Sequence, residues 1–546
     1  MAPFPARRSW GFTVQLYSVR SRASWGHGDL HDLADLAAWS GRELGADFVL
    51  VNPLHAAEPL PPVSPSPYLP MTRRQVSPLY LRIEDIPEYG KLSAGDRARV
   101  DALGEPLRAA STTAALIDRD TVWEAKRTAL EIIRAVPLSD GRRAELDAFG
   151  ERDRQATQDW ATWCTIAEVY GPDWRSWPPT LADPGSAEVA ELRRTRADRV
   201  GFHAWLQWLV AEQAAAAQRA ARQAGMDIGV IADLAVGAHP GGADAWARQD
   251  VIGPGNSVGA PPDEFNQRGQ DWTLPPWHPG RLAAQAGRPL GDLVAATTRN
   301  AGGMRVDHVM GLARLWWIPA GMPPGQGTYV RYDHEMLGGV VAAEVARAGA
   351  LAIGEDLGTV EPWLRTFLAA RHVLGTSMLW FERRADGTPR RPGGWRRGCL
   401  ATVGTHDMPP AAAFLTGDQV SIRAELGLLT QPEAEERAGA QADARRWLAM
   451  LAREGLLARP SGPSPEEFTV ALYAYLTRTP AMLIGVSLAD AAGERRPQNM
   501  PGTVDEYPNW RIPLTDGDGK PVLLEDLPGN AGIRAVADAV SSGLHR

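Results

Sequence analysis

Eight short apolar runs, rich in β-branched residues, recur along the chain, and each ends in small or polar residues. They are "FTVQLYS" (12–18), "FVLVNPL" (48–54), "IGVIADL" (228–234), "MRVDHV" (304–309), "LAIGEDL" (351–357), "SMLWF" (377–381), "LATVGTHD" (400–407) and "AMLIGVSL" (481–488). Continuous apolar strands of this length belong to a parallel sheet whose two faces are both covered. The stretches between them switch to helical spacing. In residues 29–45, Leu33, Leu36, Ala37, Ser40 and Leu44 share one face, with Asp29 as N-cap and Gly45 as the stop. Residues 200–225 place Phe202, Leu206, Leu209 and Gln213 along one face and end at Gly225, while "VVAAEVARAG" (340–349) runs directly into the fifth strand. Eight strand–helix units predict a (β/α)8 barrel; a doubly wound open sheet of similar size fits the same pattern.

The spacing is uneven. The second and third runs lie far apart, against roughly 30 residues per unit in a minimal barrel, so approximately residues 65–200 form an insertion. A second, Ala-rich and charged helical insertion spans approximately 409–475, between strands seven and eight. The whole chain, 1–546, is thus read as one catalytic barrel without a separate C-terminal β-domain.

Charge and cysteine content narrow the function classes. Lys and Arg total 57 against 65 Asp and Glu, a net charge of −8, which leaves no basic surplus for nucleic acid. No run approaches the roughly 18 apolar residues of a membrane span, and the first residues lack the apolar core of a signal peptide. Cys164 and Cys399 are the only cysteines, without metal spacing, which fits a reducing compartment and a cytoplasmic location. The 11 histidines form no ligand pattern, so no metal site is expected.

Three carboxylates sit at the ends of predicted strands: Asp307, Glu355 and Asp407. In a parallel barrel these ends open onto one face, where reactive groups collect. A carboxylate there costs desolvation unless something pairs with it. Arg305, two residues before Asp307, points to the same side of its strand and can hold Asp307 ionised, as a nucleophile requires. Glu355 lies among apolar neighbours beside Asp356, and both features raise a pKa, which suits a general acid. Asp356 itself faces the other way and is placed to cap the following helix. Retaining glycoside chemistry needs two carboxyls about 5–5.5 Å apart. Asp407, next to His406, can stabilise positive charge developing at an anomeric carbon. The plainer alternative for each acid is a cap or an ion-pair partner.

At these residues the chain resembles the amylomaltases, the 4-α-glucanotransferases of glycoside hydrolase family 77. "RVDHVMGL", "GEDLGTV" and "VGTHDMPP" resemble that family's three catalytic stretches. "SWGHGDLHDLADLAAW", "SPSPYLP" followed by "SPLYL", "GAPPDEFNQRGQDW" and "NMPGTVDEYPNWR" resemble its further signatures, in order, over about residues 10–511. The resemblance implies Asp307 as nucleophile, Glu355 as acid/base and Asp407 as transition-state stabiliser. It implies that Arg305 pairs with the nucleophile, that His406 bonds the sugar in the cleaved subsite and that Tyr68 stacks on that sugar. It places Asp233 at the end of the third strand, beside the nucleophile. Gln270 and Trp272 would contact the glucan chain, Asn499 would bond substrate, and Trp510 would pack. It implies segment transfer between α-1,4-glucans, with maltooligosaccharides as partners and no cofactor or metal. Two competing readings are an α-amylase-like hydrolase and a glucan-binding protein without activity.

Overall fold

A computed structural model describes residues 5–262, 268–457 and 462–544. Eight parallel strands close into a barrel in chain order: β1 (Ser9–Val14), β2 (Phe48–Val51), β3 (Gly229–Leu234), β4 (Gly303–Val306), β5 (Leu351–Gly354), β6 (Val373–Met378), β7 (Cys399–Thr402) and β8 (Leu483–Ser487). Each of the eight apolar runs overlaps one strand, and β8 pairs with β1 to complete the (β/α)8 barrel. Alternating inward positions fill its interior: Phe48, Leu50, Ile231, Leu351, Ile353, Leu374, Leu400 and Leu483 form one buried cluster. Gly11 makes room for this plug, because a Cβ there would lie 2.6 Å from the Phe48 ring. Two boundaries differ from expectation. Strand β1 starts at Ser9 and stops at Val14, and Leu16–Ser18 form a 3-10 turn. Strand β6 precedes most of the expected run, which it shares with a turn at Leu379–Phe381; Gly375, Thr376 and Ser377 dilute its apolar signal although all six residues are buried.

The helices bury the outer strand faces. In Leu30–Leu44, the Asp29 carboxylate accepts from the His31 and Asp32 backbone N–H groups, and Gly45 closes the helix at φ 70°. The helix Ala197–Gln223 buries Phe202, Leu206, Leu209 and Gln213 along its inner side. Between β2 and β3 the chain forms that helix and six others, from Ala94–Ser111 to Ala187–Thr195. Between β7 and β8 it forms Ala411–Thr416, Asp418–Glu425, Glu433–Arg453 and Pro465–Thr477.

One layer was not expected. Four strands from the loops after β3 and β4 make an antiparallel sheet, ordered Thr328–Arg331, Arg314–Pro319, Asn256–Ala260, Gln270–Leu274. One face of it, with Leu315 and Trp317, packs beside Trp277 on the core around β4. No helix among the described residues is long and apolar enough to cross a membrane.

Candidate active site

The register of the barrel brings the polar strand ends together. Asp233 on β3 is paired directly with Arg305 on β4, and both side chains are buried. Arg305 donates from Nη1 to both Asp233 oxygens, at 2.7 and 2.8 Å, and its Nη2 lies 3.0 Å from Oδ1 of Asp307. Burial disfavours a charged guanidinium, but Asp233 and Asp307 more than offset it, so Arg305 holds its proton more firmly than usual. The fork is therefore a fixed cation that spaces two carboxylates.

Val306 on β4 pairs with Gly354 on β5, so the next residues, Asp307 and Glu355, leave neighbouring strands at the same level. Backbones of adjacent strands stand roughly 4.8 Å apart. The Glu355 carboxylate accepts from the His308 backbone N–H at 3.0 Å and from that of Leu357 at 2.7 Å. His308 adopts φ 46°, a left-handed conformation rare for a side chain of this size, and this turn aims its N–H at Glu355. Burial, then the adjacent Asp307, push the Glu355 carboxyl from 4.5 to about 7, against the pull of Arg305 and the two backbone donors. It can hold a proton at neutral pH.

A third group closes the site. His406 places Nδ1 3.2 Å from the Tyr68 hydroxyl and Nε2 3.4 Å from Oδ2 of Asp407. Burial would lower the His406 pKa, but Asp407 outweighs it and raises it. The Tyr68 hydroxyl in turn donates to Asp233 at 2.8 Å. Asn499 donates to Oδ1 of Asp407 at 2.6 Å. Burial would raise the Asp407 pKa, yet His406 and the Asn499 hydrogen bond hold it below its ordinary value. Asp407 keeps 47% of its side chain exposed. One connected chain thus links Asp407, His406, Tyr68, Asp233, Arg305 and Asp307. Beside it lies a cavity of about 110 Å³, lined by Gln15, Asn52, Tyr68, Asp233, Arg305 and His406.

This constellation can be compared with known proteins. The sequence profile described as 4-alpha-glucanotransferase matches residues 14–517. The chain belongs to the 4-alpha-glucanotransferase family. It is 55% identical to a 4-alpha-glucanotransferase of Mycobacterium tuberculosis, over 98% of this chain and 75% of that protein. A 4-alpha-glucanotransferase of Haemophilus influenzae is 34% identical, over 92% of this chain and 75% of that protein. The crystal structure of amylomaltase from Corynebacterium glutamicum superposes with a TM-score of 0.90 at 44% identity, covering 98% of this chain and 75% of that one. An amylomaltase of Streptococcus agalactiae shares the fold at a TM-score of 0.77 and 17% identity, over 98% of this chain and 99% of that one.

Within this family frame, the remaining expected residues fall into place unevenly. Tyr68 lies 4.6 Å from the His406 ring and 5.4 Å from that of Trp510, and Trp510 is buried against both. Gln270 and Trp272 stand on a strand of the antiparallel sheet rather than on a loop, and the Trp272 indole N–H donates to Gln270 at 3.0 Å. Trp272 meets the His308 ring edge-on at 5.2 Å, which brings this sheet to the residue after Asp307. The centre of the "GAPPDEFNQRGQDW" motif, residues 263–267, lies outside the described residues.

Asp356 does not cap the helix that follows it; Glu361 occupies that N-cap position. The Asp356 carboxylate is instead buried against a bidentate Arg396, at 2.5 and 2.6 Å, and accepts from Arg365 and from the Thr376 backbone N–H. This clamp ties the residue after Glu355 to β6. Arg396 comes from an irregular stretch with no periodic signal, and sequence reasoning did not single it out. Among the described residues, no group of three His, Cys, Asp or Glu side chains could hold a metal ion.

Proposed function

We propose that this chain is a retaining 4-α-glucanotransferase, which moves a segment of an α-1,4-glucan to the 4-hydroxyl of another glucan or of glucose. One observation carries the reading: Asp307, ion-paired with Arg305, and Glu355, poised to keep a proton near neutrality, leave adjacent strands of one barrel at one level. In the first step the Asp307 carboxylate attacks the anomeric carbon and the bond to the glycosidic oxygen breaks. Glu355 gives its proton to that oxygen, and a glycosyl ester forms on Asp307. In the second step Glu355, now a carboxylate, takes the proton of the acceptor 4-hydroxyl. The acceptor oxygen attacks the same carbon, and Asp307 leaves as a carboxylate, with net retention.

Asp407, partly open to the cleft, is assigned to stabilise the positive charge that develops at the anomeric carbon. His406 and Tyr68 shape the floor for the reacting sugar, while Asp233 and Arg305 position Asp307. Asn499 reads better as the residue that orients Asp407 than as a direct sugar ligand, since its amide already donates to that carboxylate. Gln270 and Trp272 would contact the glucan beyond the cleaved bond. Family membership supports transfer over hydrolysis. The chemistry needs neither cofactor nor metal, and we place it in the cytoplasm on a single catalytic barrel with two insertions.

Incubation with maltotriose tests the reading. Products longer than the substrate are expected, together with glucose. Accumulation of glucose and maltose alone would mean that water is the acceptor. Asp307→Asn is expected to abolish turnover, and unchanged turnover would end the assignment.

A further inference from the structure

The rim outside β4 and β5, the strands that lead to Asp307 and Glu355, carries aromatic side chains that the mechanism above does not use. Helix His334–Ala348 follows β4 and helix Pro362–Ala370 follows β5, so their first turns lie on the face where the barrel strands end. Trp363, in the first turn of the second helix, is 43% exposed, and its ring stands 4.7 Å from that of His334, which opens the first. Its indole N–H donates to Glu361, whose other carboxylate oxygen accepts from Arg314 at 2.8 Å. The Arg314 guanidinium lies 3.9 Å from the centre of the Tyr329 ring, which is 37% exposed. Trp316 meets Tyr329 at 74° with the ring centres 4.9 Å apart. The Glu361–Arg314 ion pair therefore links two exposed aromatic rings.

We propose that this ridge is a distal subsite for α-1,4-glucan, in which sugar-ring faces rest on Tyr329 and Trp363. The inference rests on the glucan-transfer reading above and extends it to chain length. Covering an exposed tryptophan gains free energy from the apolar area removed from water, and a rigid aromatic ring gives large contact area at little cost in side-chain entropy. Glu361, Arg314 and His334 set charged and polar groups beside the rings, where a sugar presents its equatorial hydroxyls. The occupant follows from continuity with the site. Arg314 stands seven residues after Asp307 and Glu361 six after Glu355, so the ridge grows out of the same two strand ends. The proposal therefore requires that a long glucan held at those ends extend to the rim and that a trisaccharide fall short of it.

Trp363→Ala, Tyr329→Ala and the double variant would be assayed on maltotriose and on soluble amylose, measuring kcat and KM for each. Each single substitution is expected to lower kcat/KM on amylose roughly three- to tenfold, through KM, and to leave the maltotriose value within about twofold. The double variant is expected to lose more than either single one on amylose alone. Equal losses on both substrates would mean a structural role, and no loss on amylose would mean that glucan passes elsewhere; either result overturns the distal subsite. Failure of the wild-type protein to disproportionate maltotriose would instead remove the reading on which it rests.

Discussion

Replacing Glu355 by Gln removes the one group whose proton the mechanism moves twice, and the consequence for stability can be worked out with its sign. The Glu355 carboxyl is raised from 4.5 to about 7, chiefly by burial and then by Asp307. A group whose folded-state pKa is raised contributes its full share of stability below the unfolded value and loses it as pH climbs through the folded one. Wild-type stability should therefore fall between about pH 4.5 and pH 7, because folding must hold the proton or bear an unfavourable charge. At 1.36 kcal/mol per pKa unit, this penalty grows by roughly 2–3 kcal/mol from pH 5 to pH 8. Gln carries no such charge. It also presents one acceptor where Glu355 offers two to His308 and Leu357, which adds a pH-independent offset. The informative quantity is thus the change of the difference with pH. Urea unfolding of both proteins at pH 5 and pH 8 should show the variant gaining roughly 2–3 kcal/mol relative to wild type at the higher pH. In parallel, wild-type kcat/KM on maltotriose should fall above about pH 7, approaching tenfold per unit as the general acid is lost. A stability difference independent of pH, or a rate that stays flat to pH 9, would refute the assignment of the raised pKa to this residue.

What could be read in the sequence follows from how locally each feature is encoded. The barrel strands are buried on both faces, so eight of them left eight apolar runs, and the paired helices left a 3.6-residue rhythm with visible caps at Asp29 and Gly45. The antiparallel sheet left no such trace. Two of its strands, Asn256–Ala260 and Gln270–Leu274, are short, lack a continuous apolar run and carry a register shift at Val258/Gly259, and the sheet is completed only where Asn256–Ala260 pairs with Arg314–Pro319 from the next loop. The same division runs through the site. Asp307, Glu355 and Asp407 were legible because a carboxylate ending an apolar run is locally conspicuous. The partners that arrange them were not, apart from Arg305 and His406: Asp233 meets Arg305 only through the β3–β4 register, and Arg396 reaches Asp356 from 40 residues away in sequence. Family resemblance supplied Asp233, Tyr68 and Asn499, but their mutual bonds could be seen only in three dimensions.

Those non-local bonds make the remaining predictions. Asn499→Ala removes the 2.6 Å hydrogen bond to Asp407 and frees that carboxylate to rotate. A charge-assisted bond of this kind is worth about 1.5–3 kcal/mol, so kcat on maltotriose should drop roughly 10- to 100-fold with KM little changed. A rise in KM at constant kcat would show that Asn499 binds sugar directly instead. Arg396→Met strands the buried Asp356 carboxylate, because exposed Arg365 and the Thr376 N–H cannot replace a bidentate guanidinium. Breaking one side of a buried pair costs about 3–5 kcal/mol, which a denaturant midpoint would report. Arg396→Met combined with Asp356→Leu removes the stranded charge as well, and should recover much of that stability without recovering activity. That split is what distinguishes a clamp that positions Glu355 from one that merely holds the barrel closed: recovery of rate along with stability would show that Asp356 has no part in aiming its neighbour.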